Sequence, residues 1–521
     1  MTRRIAFQVL TILGLCLGFG LVSPSYAQEQ SVDSPAAARQ AFENGIRLNS
    51  SGDHYAAAIH FFNVYTLEGE LQYPALGHLT ESLMRARLPN SASYFFIKAL
   101  QSGNRVAIQR VLKYLPEMID EVGGDLLRKY VLRHTSEGDY DATTRNHFFY
   151  FLGKDALLKD EPQKALQALA KVSSGSGIMA QAAYVRGAAY AILNQHDNAA
   201  GSFKTCRRMA DRAEARSRHF KKEYLDLEAR CTASLARAYY QRGSHEASEE
   251  VYDEIPKASF VWTDVLFEQA WNAYAKGDYN RALGKLVTYR SPSLNFVFNP
   301  EVDILRAQSF LSLCAYEDVN KTVNEFNDQY AGVGLQIKNL LLKNESDFTA
   351  FYGIAKQAYS RKLHNQNLLT RALNRFIRGP YFAGMMYQER NIRRELSLVQ
   401  RLANQRGQGR FSAFLEKVLN WRTKTVRILG GVFVRNSLAD LYQDMIANFD
   451  KMSFIKLEML KHSKQRLERK ALMSEDENGV LKRGASGIDR KDYQYFWTFN
   501  GEFWLDELGD YVFALESQCG G

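Results

Sequence analysis

Beyond residue 27 the chain has no apolar run long enough to span a bilayer, which excludes transmembrane helices from the body of the protein. It also lacks the short motifs that mark common catalysts. There is no H-E-x-x-H pair, no G-x-S-x-G elbow, no Walker A loop and no dinucleotide fingerprint. The 10 histidines are scattered, and His54 with His60 miss the i, i+4 spacing of a helical metal site. Cysteine is scarce, 5 in 521 residues, and its placement fits no metal-ligand spacing. Glu81-Ser82 pairs an acid with a hydroxyl, but no glycine-rich motif accompanies it and a core helix explains both residues. These absences predict a non-enzymatic protein with no metal and no cofactor.

What is present begins with an export signal. Arg3 and Arg4 supply a charged start, Ile5 to Val22 is almost wholly apolar, and Ser25-Tyr26-Ala27 is an A-x-A-like cleavage site. The alternative is a membrane anchor, against which the short run and the cleavage site argue. Leu15 before Cys16 is too bulky for a lipidation signal. The expectation is cleavage after Ala27 and export to a bacterial periplasm, with 28–36 a disordered leader. Lys plus Arg total 67 against 57 acids, a net charge of +10 that falls to +8 without Arg3 and Arg4. Export makes nucleic acid an improbable partner for this excess. Four cysteines survive cleavage. Cys206 and Cys231 are equidistant from a polar turn near Arg218, so antiparallel helices joined there would bring them level. A disulfide is expected between them, and two buried thiols are the alternative.

The mature chain is too long for one compact core. It solves this by repetition. Leu152-Gly153 is followed by Ala156, Asp160, Ala165, Leu169 and Val172. Gly187, 34 residues on, is followed by Tyr190, Ala199, Phe203 and Cys206. Ala236 opens a third set with Tyr239, Gly243, Tyr252 and Ile255. Ala270, again 34 on, opens a fourth, and Ala307 a fifth after 37. Small residues at fixed places let antiparallel helices approach, large apolar residues fill the seam, and Gly, Asp or a polar pair marks the turn. Residues 37–104 read as two more degenerate pairs, and 105–141 as helical but off pattern. An insertion of 15 residues between the second and third sets contains no Gly or Pro over Ala210 to Glu223, so it should lengthen two neighbouring helices. Leu438, Leu441, Met445, Met452, Ile455 and Met459 mark one long amphipathic helix.

The pattern resembles the tetratricopeptide repeat (TPR) family. The resemblance implies an all-α, right-handed solenoid of antiparallel helix pairs, with first helices lining a concave groove for peptides or partner helices. The resulting division is 1–27 signal, 28–36 leader, 37–141 degenerate repeats, 142–333 TPR-like repeats, 334–474 a basic helical region, and 475–521 a loop and aromatic cap. The family's groove-facing places fall on His147, Tyr150 and Lys154; on Gln181 and Tyr184; on Arg230, Arg237, Tyr240 and Gln241; on Asp264, Phe267, Trp271 and Tyr274; and on Gln308. Tyr, Trp and Arg are typical interface anchors, although each could instead pack on the next helix.

Two further regions stand out. Between 385 and 435 lie eleven cations, among them Arg390, Arg393, Arg394, Arg422, Lys424 and Arg427, opposed only by Glu389, Glu395 and Glu416. Such a field attracts anionic lipid, polysaccharide or cell-wall polymer, unless it is an ordinary solvated helix face. The tail from Trp497 to Tyr511 mixes aromatics with carboxylates. It reads as a cap over the last apolar helix face, or as a glycan-processing site around Glu502 and Asp506. It resembles the ends of envelope TPR proteins from bacteria that glide by a trans-envelope machine. The function expected is a periplasmic scaffold for other envelope proteins. An enzyme and an adaptor for anionic lipid or polysaccharide are the alternatives.

Overall fold

A computed structural model describes residues 34–67, 69–216, 221–259, 261–344, 346–362, 366–406, 409–472 and 501–519. The expected signal and cleavage site, residues 28–33 of the leader, the turn near Arg218, the polar loop 475–487 and the aromatic residues 493–499 lie outside them. Among the described residues the protein is all-α, with 21 α-helices and no β-strand. They fall into two compact units.

The first unit is the chain up to Leu227 together with Gly384–Arg427. It opens with two helix pairs, α1 (Pro35–Ser50) with α2 (His54–Tyr65) and α3 (Gln72–Arg85) with α4 (Pro89–Gln101). Three short helices follow: α5 (Arg105–Leu112), α6 (Leu115–Val122) and α7 (Gly124–His134). Then α8 (Arg145–Leu158) pairs with α9 (Pro162–Leu169), and α10 (Met179–Ile192) with α11 (His196–Arg216). The next helix, α12 (Lys221–Gln241), is 21 residues long, as is α11, so both flanking helices are long where the insertion was read.

Small residues set the distance within each pair. Gly45 lies under Phe61, Gly153 under Leu169 and Gly187 under Phe203. A Cβ added at these glycines would stand 2.8, 2.4 and 2.5 Å from the facing side chain. The large residue follows its glycine by 16 positions each time. Ala236, Ala270 and Ala307, all fully buried, stand in the same relation to the buried Tyr252, Leu286 and Val323.

The turns repeat as faithfully as the seams. Gly52, Arg87, Asp160, Asn194, Gly243, Gly277 and Cys314 all have left-handed backbone, with φ between 56° and 89°. The residue after each donates its N–H to a carbonyl five positions earlier, as Glu161 does to Ala156 and Ala315 to Phe310. This 6→1 bond is the Schellman closure, which satisfies the last carbonyls of the first helix. Glycine adopts it freely, whereas a Cβ resists it.

Two late helices, α20 (Pro380–Arg406) and α21 (Gly409–Leu472), give residues 384–427 to the first unit. Phe411 and Phe414 pack on Phe62 at ring-centre distances of 5.0 and 5.1 Å. Glu395 accepts hydrogen bonds from Asn90 N (2.9 Å), Asn90 Nδ2 (3.0 Å) and Ser91 N (2.6 Å). Those amides open α4, whose own N-cap, Leu88, offers no side-chain acceptor. Arg422 donates from Nη2 to Val122 O, the last residue of α6, at 3.2 Å. A buried acid thus meets a helix N-terminus and a buried cation a helix C-terminus, each matching the local dipole.

The second unit is Glu228–Ala383 with Ile428–Gly521. It holds most of α12 and then α13 (His245–Asp253), α14 (Trp262–Ala275), α15 (Tyr279–Val287), α16 (Glu301–Ser312) and α17 (Tyr316–Lys343). After them come α18 (Phe348–Ser360), α19 (Leu368–Ile377) and the distal part of α21. The helix expected over 438–459 is part of α21, which runs for 64 residues. Gly431 within it leaves room for the backbone of Phe348, which occupies the space a Cβ would need.

The described tail, 501–519, packs on repeat helices, and its Gln518 side chain also accepts from Arg466 of α21 at 3.4 Å. Leu508 and Tyr511 join Trp262, Leu266, Val287 and Leu294 in one core. Gly284 of α15 gives room for the Tyr511 carbonyl. Asn280 exchanges hydrogen bonds with Phe513 and Leu515, and Lys285 donates to Gly509 O at 3.2 Å. A disulfide joins Cys519 to Cys314. The rings of Phe503, Tyr511 and Phe513 lie against this apolar core of α14, α15 and Leu294.

Candidate functional site

In the second unit the first helices of three successive pairs are α12, α14 and α16. Arg237, Trp271 and Gln308 occupy one register position on them. Arg237 grips Glu268 of α14 with two guanidinium nitrogens, at 2.7 and 2.8 Å, and Tyr252 donates to the same carboxylate at 2.8 Å. Burial, followed by the Glu268 charge, pushes the Tyr252 phenol far up. Tyr240 meets His245 edge to face at 5.3 Å, and His245 Nδ1 lies 2.9 Å from Asn272 Oδ1. Arg230 is half-buried.

Phe267 was expected to face the groove, but it is only 9% exposed and belongs to the core with Ala270, Leu286, Val302 and Leu305. Its register position points between α14 and α16, where apolar bulk is needed. Trp271 and Tyr274 lie partly buried on that core, rings 5.7 Å apart. Tyr274 OH is 3.2 Å from Ser312 Oγ, linking α14 to α16. The indole Nε1 of Trp271 and the amide Oε1 of Gln308 are shielded from solvent and make no hydrogen bond. Asp264 keeps solvent contact, yet loss of surrounding water pushes its carboxyl up despite Arg375 and Arg237 nearby.

The first unit carries its own part of the expected set. Tyr150 and Tyr184 are half-buried, Tyr184 packing 5.9 Å from Phe203. Lys154 reaches Asp125 at 2.9 Å, and Arg128 reaches the same carboxylate at 2.6 Å. Burial raises the Asp125 carboxyl, but these two cations outweigh it and hold it below the ordinary range. His147 is half-buried, and burial lowers its imidazole. Asp120, absent from the expected set, is pushed up to about 6 by desolvation, with Glu121 and Glu117 adding to it. Three acids within five residues, Glu117, Asp120 and Glu121, were the available signal.

Part of the basic region is turned to internal use. Arg422 was expected to bind anions, but it is 1% exposed, and desolvation lowers it to about 10. Arg427 and Arg393 pair with Glu389 at 2.8 and 3.3 Å, and that carboxylate is fully buried. The acids that looked outnumbered are the ones that organise the cations. Arg390 lies 5.8 Å from the Tyr387 ring, and Arg394 and Lys424 are exposed.

Cys206 and Cys231 are fully buried. The bridge between Cys314 and Cys519 was not anticipated. Its sequence signal was a cysteine at the turn place that Gly243 and Gly277 hold in the preceding pairs. Glu81 pairs with Arg85 and Arg110, both at 2.8 Å, as part of a packed helix. Glu502 and Asp506 are exposed. Among the described residues no group of His, Cys, Asp or Glu is arranged to hold a metal ion. No described helix is long and apolar enough to cross a membrane.

No protein-family model matches the chain, and no curated protein matches it in sequence. Solved structures similar to it include the apo form of RapI, at 12% identity over 75% of this chain and 97% of that one, with a TM-score of 0.33. Yeast Tom70 matches at 12% identity over 84% and 99% of the two chains, with a TM-score of 0.20. MamA matches at 17% identity over 46% and 94%, with a TM-score of 0.19. The recurring glycine or alanine seams and Schellman turns make this chain a TPR-like protein of stacked antiparallel helix pairs.

Proposed function

We propose that the protein is a non-enzymatic scaffold that holds an extended polypeptide along the first helices of its repeats. The observation that carries this reading is the ladder Arg237, Trp271, Gln308. Successive pairs present, at one register position, a cation, an indole donor and an amide acceptor, and the last two are shielded polar atoms without partners. An unpaired buried polar group costs about 1–3 kcal/mol. An extended backbone offers a donor and an acceptor at every residue, and one that displaced the side chains covering these two atoms would relieve both costs. Tyr240 and Tyr274 flank the ladder with amphipathic rings suited to an interface.

The residue 1–27 pattern supports export to a bacterial periplasm with cleavage after Ala27. The Cys314–Cys519 bridge is in keeping with an oxidising compartment. Within such a compartment the scaffold's partners would be other cell-envelope proteins.

The test is the double variant Tyr240→Ala with Trp271→Ala. Capture of envelope proteins from a native extract is expected to fall at least about tenfold, as loss of two interface aromatics implies. Helical content should stay unchanged. Undiminished capture would sink the groove reading. Mass spectrometry of the captured material would name the partner.

A further inference from the structure

The distal part of α21 has two faces of different character. Met452, Ile455 and Met459 are buried in the second unit. On the other side Phe454 is 70% exposed, Leu457 62%, Leu460 52% and Leu467 65%. At about 100° per residue these four side chains share one arc of roughly 140°. Exposed lysines bracket it, Lys456 at one edge and Lys461 at the other, with Lys464 near the middle. Lys464 is paired with Glu468 at 3.6 Å, the one acid on the arc beyond Asp450. Single exposed leucines are ordinary. Four large apolar side chains on one stretch of helix, edged by cations, are not.

We infer that this face docks on an anionic lipid surface. The chemistry is that of an interfacial amphipathic helix. Phe and Leu enter the acyl boundary, while the lysine stems lie along it and their ammonium groups reach the headgroups. A second copy of the chain fits worse. Antiparallel or parallel, it would set lysines against lysines, and four side chains fall far short of the roughly 800 Å² per partner of a stable interface. The opposite face of the helix is anchored in the fold, so the docking face is presented without unfolding. This site is separate in sequence from the basic cluster of residues 385–435, in which Arg393 and Arg427 pair with Glu389 and Arg422 meets a helix end.

Co-sedimentation of the full mature chain with vesicles tests the inference. Wild type is expected to sediment with phosphatidylcholine vesicles containing phosphatidylglycerol, to be released by salt, and to remain in solution with phosphatidylcholine alone. Lys456→Glu with Lys461→Glu should lower the partition onto anionic vesicles at least about 5-fold per position. Leu457→Ser with Leu460→Ser should lower it comparably while the melting curve is unchanged. Wild type that stays in solution with anionic vesicles overturns the inference. So does equal binding by both variants, which would move the site elsewhere. A dimer in light scattering that the leucine variant dissolves would assign the face to a second copy.

Discussion

Gly187 and Gly332 are both helical, yet their surroundings predict opposite outcomes for the same substitution. Gly187→Ala drives a methyl to 2.5 Å from Phe203, inside a seam that cannot widen without moving a helix. It should destabilise by about 1–3 kcal/mol despite alanine's better helix propensity. Gly332→Ala in α17 meets nothing within 4 Å, so propensity alone acts and stability should rise by up to about 1 kcal/mol. Urea unfolding of both variants checks the pair. Asp120 gives a pH signature. Its folded carboxyl titrates at about 6, above the ordinary value near 4, so the native state holds the proton more tightly. The resulting stabilisation is complete below pH about 4 and is lost as pH rises through about 6. Asp120→Asn should therefore be more stable than wild type at pH 7, with the gap closing by pH 4. A gap that widens on acidification would contradict the assignment.

At the scale of elements, α4 shows how a helix end can depend on a distant residue. Glu395→Ala strips the first amides of α4 of their acceptor and leaves Arg422 buried without its neutralising neighbour. The loss should be roughly 3 kcal/mol, read by chemical denaturation. Glu395→Gln keeps an acceptor and should lose less. The same element marks the limit of what the sequence told. The seams and turns were legible because their determinants sit within about twenty residues of one another. Gly187 and Phe203 identify each other by spacing, and Gly243 and Gly277 by conformational need. Arg422 finds Val122 O across 300 positions, and Glu395 finds α4 across 305. No local pattern reports such a meeting, so Arg422 looked like one more surface cation. Phe267 failed for a related reason. Its side chain packs on Leu286, Val302 and Leu305, residues of later helices that its own register does not report.

For the whole molecule, the described chain divides into two compact units, and a protein of more than one unit is expected to depart from a single unfolding transition. Calorimetry should resolve more than one transition. Cys519→Ser is expected to lower only the transition of the second unit. Chain-entropy reasoning for a separation of 205 residues sets an upper figure of about 5 kcal/mol. Peptide mapping without reduction should find Cys314 joined to Cys519. By the sequence spacing, it should also find Cys206 joined to Cys231.

The Cys314–Cys519 bond also alters what pulling on the protein would do. Tension applied between the two chain ends would run along the backbone to Cys314, cross the sulfur atoms and leave through the last residues. The whole interval holding α17 to α21 would form a slack lariat outside the line of force. A single-molecule stretch should extend only the part before Cys314, and adding a reductant should release the stored contour length in the same molecule.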